Sequence, residues 1–437
     1  MKKLTLTVAI LLTGTYLFAQ TNTSNLNQVN NHNYADVQQT GDAHLSNVNQ
    51  TSNAGSVAAK NQANVIQNNG ATPTGQSTSN VNQNGNRQLA NILQSGGTNL
   101  SNATQTGTRQ DADVDQIGVG NNSTVTQSVR SNEADVLQTG NTNISTVTQT
   151  DWNNEADVNQ AGNGNNSSVD QDGTLAFGNV ADVDQIGDGN TSTVVQDGTI
   201  LFGNNADVLQ EGNGNNSGVD QDGALNDANV YQFGTGNISV VNQDDNLNVA
   251  DVDQLGSTNN STVIQDGQTF SGNYAKVWQD GATNTSVVNQ DGRNEGFVTQ
   301  IGNMNGSSLT QDGNDNWAKL HQYGNSNSFT VTQEGDDNKV TGIPSGPVGD
   351  TYGAAQTGDG NIGVISQDGD DLLSQSWQNG NSNNMKVIQS GNLQKSLVLQ
   401  TGNTNIADLN QSGNGHSSSI IQTGGANSGL VVQANGI

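Results

Sequence analysis

The sequence predicts an all-β fold: a two-sheet parallel β-solenoid with 22-residue coils, each built from two 11-residue strand-turn units. Three observations predict it. Glutamine recurs every 11 residues over long runs, as from Gln83 to Gln171. The residues before these glutamines alternate between a fixed and a variable set, and a glycine and an asparagine follow most of the glutamines at fixed spacing. A fixed period of this kind is the sequence signature of stacked repeats.

Each unit contains one strand and one turn. The pattern is Q-x-G-x-x-N-x-[SA]-x-V-x-Q, as in residues 138–149. Because successive side chains of a strand point to opposite faces, Asn143, Ser145, Val147 and the following glutamine share one face. This alternation predicts a strand and rules out a helix. Gly140 and Asn143 are residue types that tolerate positive φ, so we expect the chain to reverse between them.

The small residue on the inward face doubles the period to 22 residues. It is Ala in one set of units and Ser in the other, at Ala134, Ala156, Ala181, Ala206 and Ala250, and at Ser123, Ser145, Ser167, Ser192, Ser217, Ser239 and Ser261. A coil of strand, turn, strand and turn therefore places each glutamine over its equivalent in the next coil. From Gln28 to Gln433 there is room for about 18 coils, in a rod on the order of 85 Å long.

We expect columns of buried amides to replace a large hydrophobic core. In such columns Asn and Gln side chains repeat their hydrogen bonds at the ~4.8 Å cross-β spacing, while Ala, Ser and Val fill the gap between the sheets. The candidate structural residues are Gln94, Gln105, Gln116, Gln127, Gln138, Gln149, Gln160, Gln171, Asn121, Asn143, Asn165, Gly118, Gly140 and Gly162.

Composition excludes several functional classes. With 30% hydrophobic and 4% aromatic residues, the 437-residue chain cannot build the apolar core of a globular enzyme of that length. The formal charge of −28 opposes nucleic-acid binding. The four histidines, His32, His44, His321 and His416, lack the spacing of metal ligands. We therefore predict no enzymatic activity, no cofactor, no metal site and no nucleic-acid partner.

The N-terminal segment has the features of an export signal. Two lysines precede an apolar stretch over residues 4–12, and a small residue, Ala19, suits the last position before cleavage. We expect cleavage between Ala19 and Gln20, which would make residues 1–19 a signal peptide and the mature chain secreted. No later segment approaches the ~18 apolar residues of a membrane helix, so we expect no membrane insertion.

The spacing of the glutamines divides the remaining chain into four regions. They are irregular N-terminal repeats at 20–82, a regular solenoid at 83–333, an irregular proline-containing loop or bulged coil at 334–355, and a C-terminal solenoid at 356–437. Proline cannot donate to a central ladder, so we predict a bulge or loop at Pro73, Pro344 and Pro347. We interpret the 23-residue spacing from Gln333 to Gln356 as one coil plus one residue.

Three turns carry three extra residues, after Gln171, Gln196 and Gln265. Two of them contain apolar side chains: Leu175, Phe177, Ile200, Leu201 and Phe202. Either the adjacent apolar loops shield each other, or Leu175, Phe177, Leu201 and Phe202 form a docking patch for an assembly partner.

Five aspartates occupy one outward column: Asp113, Asp135, Asp157, Asp182 and Asp207. Carboxylates ~4.8 Å apart repel by only about 0.9 kcal/mol in a water-like dielectric, so we expect a solvated face, with calcium bridging as the alternative. Outward Thr-x-Thr pairs, beginning at Thr124 and Thr146, leave open a second class of function. This class is a monomeric surface-binding solenoid, either an ice binder or a calcium-dependent adhesin.

The repeat closely resembles the curlin repeat of curli fibre subunits, whose units read S-x5-Q-x-G-x-x-N-x-A-x3-Q. The matching residues include Gln138, Gly140 and Asn143, while the spacing from Ser123 to Gln127 is two residues shorter than in the family. The resemblance covers almost the whole mature chain. It implies a bacterial functional amyloid: a secreted subunit that polymerises into cell-surface fibres, supports adhesion and biofilm formation, and works with a nucleator subunit and an outer-membrane export machinery.

The ends of the repeat independently favour polymerisation. The pattern starts at Asn22 and continues to Gln433, without the atypical capping repeats of soluble solenoids. An uncapped coil exposes unpaired backbone groups that can pair with another chain. We therefore expect end-to-end growth of a homopolymer.

Overall fold

The computed structural model describes residues 21–30, 32–52, 60–69, 75–173, 177–198, 202–268, 270–342 and 353–435. Every regular element in these ranges is a β-strand. No helix that could span a membrane occurs among them. The predicted cleavage site at Ala19 and Gln20 and all three prolines lie outside the described residues.

Most of the strands are seven to nine residues long. The first half of the chain contains β1 (Thr23–Val29), β2 (Asn33–Thr40), β3 (Leu45–Thr51), β4 (Asn61–Asn68), β5 (Thr78–Asn86), β6 (Leu89–Ser95), β7 (Leu100–Thr108), β8 (Asp111–Val119), β9 (Asn122–Arg130), β10 (Glu133–Asn141), β11 (Ile144–Thr150), β12 (Glu155–Asn163), β13 (Asn166–Asp172), β14 (Val180–Ile186), β15 (Thr191–Gly198), β16 (Asn205–Asn213) and β17 (Asn216–Gly223). The second half contains β18 (Asp227–Thr235), β19 (Ile238–Asp244), β20 (Val249–Ser257), β21 (Asn260–Asp266), β22 (Tyr274–Ala282), β23 (Thr285–Asn303), β24 (Gly306–Tyr323), β25 (Ser328–Glu334), β26 (Lys339–Thr341), β27 (Ala354–Thr357), β28 (Ile362–Asp368), β29 (Leu373–Asn379), β30 (Asn384–Ser390), β31 (Lys395–Thr401), β32 (Ile406–Ser412), β33 (Ser417–Thr423) and β34 (Ser428–Ala434).

Alternate strands build two parallel sheets. β10 pairs with β8 and β12, while β11 pairs with β9 and β13. Each residue pairs with its equivalent in the next coil, as Ala134 with Ala156 and Val136 with Val158. The long strands β23 and β24 each contribute to both sheets in turn. The chain makes about 17 turns of about 22 residues, which confirms the predicted all-β parallel solenoid.

The interior is narrow and half polar. In β11 and the residue before it, Asn143, Ser145, Val147 and Gln149 are at most 1% exposed, whereas the intervening Ile144 is 44% exposed. Valine and alanine form continuous apolar columns between the sheets. Buried asparagine, glutamine and serine side chains lie beside these columns along the rod. Because buried polar groups must find partners, cohesion depends on where these amides bond.

The turns differ from the prediction in one respect. Gly140 adopts a φ of 111°, as expected, but the second left-handed residue is Thr142 with a φ of 57°. Asn143 is not among the residues with positive φ. It is fully buried, so the turn selects asparagine for its side-chain amide rather than for its backbone freedom.

The interpretation of the Gln333 to Gln356 segment as one coil plus one residue was wrong. Gln322 bonds to Gln356, and Gln333 bonds to Gln367, which places Gln333 and Gln356 in opposite sheets. The segment is therefore half a coil plus an insertion. β26 and β27 both pair with β24 and β29, so these two short strands together form one rung. The insertion lies between them in the sequence, and the neighbouring rungs stay in register.

Candidate assembly site

The buried glutamines form two columns of side-chain hydrogen bonds along the rod. In one sheet Gln116 Nε2 donates to Gln138 Oε1 at 2.8 Å, and Gln138 donates to Gln160 at 2.8 Å. In the other sheet Gln127 donates to Gln149 at 2.9 Å, and Gln149 donates to Gln171 at 2.9 Å. In these steps the donor always belongs to the earlier coil. Gln94 and Gln105 donate in the same way to Gln116 and Gln127.

The second amide hydrogen of each glutamine links the two sheets. Gln138 Nε2 also donates to the main-chain oxygen of Asn122 at 3.1 Å, across the interior. Gln149 Nε2 donates to the main-chain oxygen of Glu133 at 2.8 Å. Both N–H groups of each side chain are therefore satisfied. A hydrophobic residue of similar size could make neither bond. These positions therefore require the hydrogen-bonding groups of glutamine and not only its volume.

The asparagines close the turns by bonding mainly to the backbone. Asn121 Oδ1 accepts from the main-chain nitrogen of Asn143 at 3.0 Å, and Asn143 Oδ1 accepts from that of Asn165 at 3.0 Å. Asn143 Nδ2 donates to the carbonyl oxygen of Gly162 at 2.9 Å. The expected amide-to-amide bonds join this pattern further along the chain, as between Asn383 and Asn361 at 3.1 Å. Asparagine thus fixes each turn to the turns of adjacent coils.

The turn glycines stack directly on one another. A Cβ atom built on Gly140 would lie 2.0 Å from the carbonyl oxygen of Gly162, and one built on Gly118 would lie 1.8 Å from that of Gly140. Real Cβ atoms do not approach backbone this closely, so glycine sets the spacing between coils at this corner. The sequence indicated positive φ at these positions, but it carried no signal for the close approach.

From β9 to β21, the serines that line the interior of one sheet form no hydrogen bond through their side chains. The buried Oγ atoms of Ser123, Ser145 and Ser167 find no protein partner in the described part of the chain, and the same holds for Ser192, Ser217, Ser239 and Ser261. The facing sheet carries alanine at the equivalent positions. Small volume is therefore the property that the two columns share.

The outward carboxylates of the sheet that contains β8, β10, β12, β14 and β16 repel one another. Partial burial by neighbouring side chains, followed by repulsion from Asp113, Glu133, Asp157 and Asp111, raises the pKa of Asp135 to about 6. Partial burial, followed by repulsion from Asp184, Asp157 and Asp207, raises the pKa of Asp182 to about 6 as well. Burial is also the main cause of the raised pKa of Asp113, Asp157 and Asp207.

Acidification should stabilise the folded rod. The pKa of Asp135 and Asp182 is about 6 when folded and 3.8 as the ordinary value, so between these values the folded state binds more protons. Stability therefore rises as the pH falls from 7.5 to about 4.5, and chemical denaturation at the two pH values measures this rise. We expect the double variant Asp135→Asn, Asp182→Asn to be more stable than the parent at pH 7.5 and less sensitive to pH. An unchanged pH dependence would contradict this account.

The solvated face stays the prediction for this column, with calcium bridging as its alternative. Within the described ranges, no three aspartate, glutamate or histidine side chains come together in an arrangement that could hold a metal ion.

The aromatic residues of the two inserted loops contact each other. Phe177 and Phe202 stack with ring centroids 5.8 Å apart and an angle of 2° between the rings. They nevertheless stay 64% and 43% exposed. Leu175, Ile200 and Leu201 lie outside the described residues. The stacking of the two rings agrees with mutual shielding of the adjacent loops. Their exposed faces would be available to a partner in a docking patch.

Both ends of the stack present open strands. Among the described residues, β1 pairs with β3 alone and β34 pairs with β32 alone. All seven residues of β1 are exposed, including Leu26, whose equivalent Val48 in the next coil is buried. At the other end Val431 packs on the core from one side. Within the described ranges, each end therefore shows unpaired main-chain groups together with the interior columns.

Comparison with known families agrees with this architecture. A family model described as the curlin-associated repeat matches residues 202–234, 305–335 and 313–341. These segments carry the curlin-associated repeat, which supports assignment of the chain to the curlin-repeat family. The matched segments contain the curlin glutamines Gln210, Gln221, Gln322 and Gln333, all of which lie in the two buried columns. No curated protein sequence matches the chain.

Proposed function

We propose that this curlin-repeat protein is a secreted structural subunit that polymerises end to end into extracellular amyloid-type fibres, and that these fibres serve cell adhesion and biofilm matrix formation. The observation that carries the proposal is the pair of open ends on an otherwise continuous stack. At these ends the ladders of β1 and β34 each lack one neighbour among the described residues. The curlin repeat and the solenoid fold favour this structural role over an enzymatic one.

The two ends are complementary in hydrogen bonding. At the N-terminal end, Gln28 donates to Gln50 and offers its own Oε1 to a preceding glutamine. At the C-terminal end, Gln433 accepts from Gln411 and is the last glutamine of its column. Joining the two ends would continue the columns, cover Leu26 and Val431, and pair the open strands. An end-to-end joint thus repeats the contacts that already hold the coils together.

The remaining parts of the proposal follow from the family. Cleavage of residues 1–19, passage through an outer-membrane export machinery and the use of a nucleator subunit are what curli-like assembly implies. The self-complementary ends make a second copy of the chain the main partner.

Purified chain without residues 1–19 tests the proposal. We expect it to form fibres that bind Congo red and give reflections at ~4.7 Å and ~10 Å. Protein that stays monomeric in the presence of preformed seeds would contradict the proposal.

A pair of lysine substitutions on the last rung makes this test specific to the ends. Val431 faces the interior, whereas Leu430 on the same strand is 70% exposed. In the monomer of Val431→Lys the introduced ammonium group can extend from the open end into water, but a second copy would bury that charge. We therefore expect Val431→Lys to abolish elongation and Leu430→Lys to preserve it, as measured by seeded growth. Equal growth of both variants would show that the joint lies elsewhere.

The stacked pair Phe177 and Phe202 is proposed as a docking patch for an assembly partner. We expect Phe177→Ser with Phe202→Ser to leave the stability within the range of ordinary surface variants, about 0.5 kcal/mol, because both rings are largely exposed. Nucleation and attachment to cells should fall. Unchanged nucleation and attachment would leave the two loops with the shielding role alone.

A further inference from the structure

The two sheets of the described stack do not contain the same number of rungs. One unbroken parallel ladder runs from β1 through the odd-numbered strands to β21, and from there through β23, β24, β25, β28, β30 and β32 to β34. The facing ladder starts at β2 and ends at β33. The stack thus begins and ends in the same sheet and contains half a coil more than a whole number of coils.

This half coil determines where a continuing strand must lie. In a solenoid the chain passes to the opposite sheet at every turn, as from β33 to β34. The next strand after β34 would therefore rest on β33, and the one after that would rest on β34. A second copy that continues the stack without a gap must supply these two strands in the same order, as its own β1 and β2.

We propose that successive copies in the fibre are related by a half-turn about the rod axis, with β1 of each copy paired to β33 of the preceding copy and β2 paired to β34. The inference rests on the proposed end-to-end assembly. If copies kept the same orientation, β1 would rest on β34, and a rung would be missing between β33 and β2. That gap would leave main-chain groups of both strands unpaired in the interior of the fibre, which is costly.

The side chains permit the half-turn because the two sheets carry equivalent columns. β1 and β33 are both seven residues long, and aligning their glutamines pairs Thr23 with Ser417. Gln28 then meets Gln422 and continues a buried column. On the other side, Gln39 of β2 meets Gln433 of β34. Glutamine thus meets glutamine in both sheets at the joint between two copies.

The half-turn distributes charge along the fibre. The carboxylate column that contains Asp135 and Asp182 lies on the outer face of only one sheet. After a half-turn the next copy presents its column on the opposite side. The fibre repeat is then two copies, or about 170 Å at the cross-β spacing, instead of one.

Disulfide trapping between copies tests the arrangement, since the chain contains no cysteine of its own. Asn25 and Ser419 both point outward and are exposed. With the half-turn they are in-register neighbours on adjacent strands, ~4.8 Å apart, which is within reach of a disulfide. Without it they lie on opposite faces of the rod, more than ~10 Å apart, and Asn25 would instead neighbour Leu430.

We expect fibres of the variant Asn25→Cys, Ser419→Cys to oxidise into a ladder of covalent multimers on a non-reducing gel. The matched variant Asn25→Cys, Leu430→Cys and the three single-cysteine variants should give no ladder. A ladder from the Asn25, Leu430 pair, or fibres in which neither pair cross-links, would overturn the half-turn while leaving end-to-end assembly intact. Failure of the parent chain to form fibres would overturn the proposed function and this inference with it.

Discussion

Alanine at Gly140 will break the stack of coils, and this is the largest single-residue effect that we expect. The left-handed backbone of Gly140 alone costs a residue with a Cβ about 1–3 kcal/mol. In addition, the new Cβ would lie 2.0 Å from the carbonyl oxygen of Gly162, so the next coil must move away. Because coils contact only their neighbours, the break should divide the rod into two separately melting parts. Thermal unfolding followed by circular dichroism would show two transitions.

Substitutions at two other glycines separate the effect of backbone strain from the effect of the close contact with the next coil. Gly189 has a φ of 67° but open space around a Cβ, so Gly189→Ala measures the backbone strain alone. At Gly218, where no left-handed φ is required, a Cβ also meets open space, so Gly218→Ala should be close to neutral. We expect the loss of stability to increase from Gly218→Ala through Gly189→Ala to Gly140→Ala. A Gly140→Ala variant no worse than Gly189→Ala would show that the coils can separate at little cost.

Glutamate at Gln138 should be almost as damaging, although it has nearly the same shape. Glutamine donates here to Gln160 and to the main-chain oxygen of Asn122, and an ionised carboxylate can donate to neither. It also places an uncompensated charge in the interior. We expect a loss of about 3–5 kcal/mol at neutral pH, the cost typical of an unpaired buried charge, measured by chemical denaturation.

Acid should partly restore the stability of the Gln138→Glu variant. This pH dependence separates the cost of the buried charge from the cost of any change in shape. Burial raises the pKa of the introduced carboxyl in the folded state, so the folded state takes up a proton before the unfolded state does. The difference in stability from the parent should therefore shrink as the pH falls to about 4. Thr139→Glu adds the same charge on the exposed side of the same strand and provides the control. A defect in Gln138→Glu that is equally large at both pH values would contradict the explanation.

The period and alternation of the sequence were sufficient to predict the fold. Residues equivalent to Gln138, Ser145 and Val147 recur at intervals that only stacked strands can satisfy. Their burial follows the predicted alternation. Each unit is short, so the position of one residue determines the face of all the others in the same strand. This local redundancy explains why the core could be assigned without coordinates.

The features that sequence could not provide depend on distances between coils. The spacing from Gln333 to Gln356 fits both one coil plus one residue and half a coil plus an insertion, and only the pairing with Gln322 and Gln367 distinguishes them. In the same way, the bonding of Asn143 to backbone and the contact of Gly140 with Gly162 depend on the separation of adjacent turns. A repeat pattern gives the order of the rungs but not the atoms through which they touch.

The uniform direction of the glutamine bonds has a consequence for fibre growth. Since every amide in a glutamine column points the same way, its dipoles add, and the glutamine columns end in hydrogen-bond donors at one tip of the rod and in acceptors at the other. Two tips of the same kind would bring donor against donor, so filaments should contain no reversals. An arriving subunit meets a different surface at each tip, and the two tips should therefore elongate at unequal speeds.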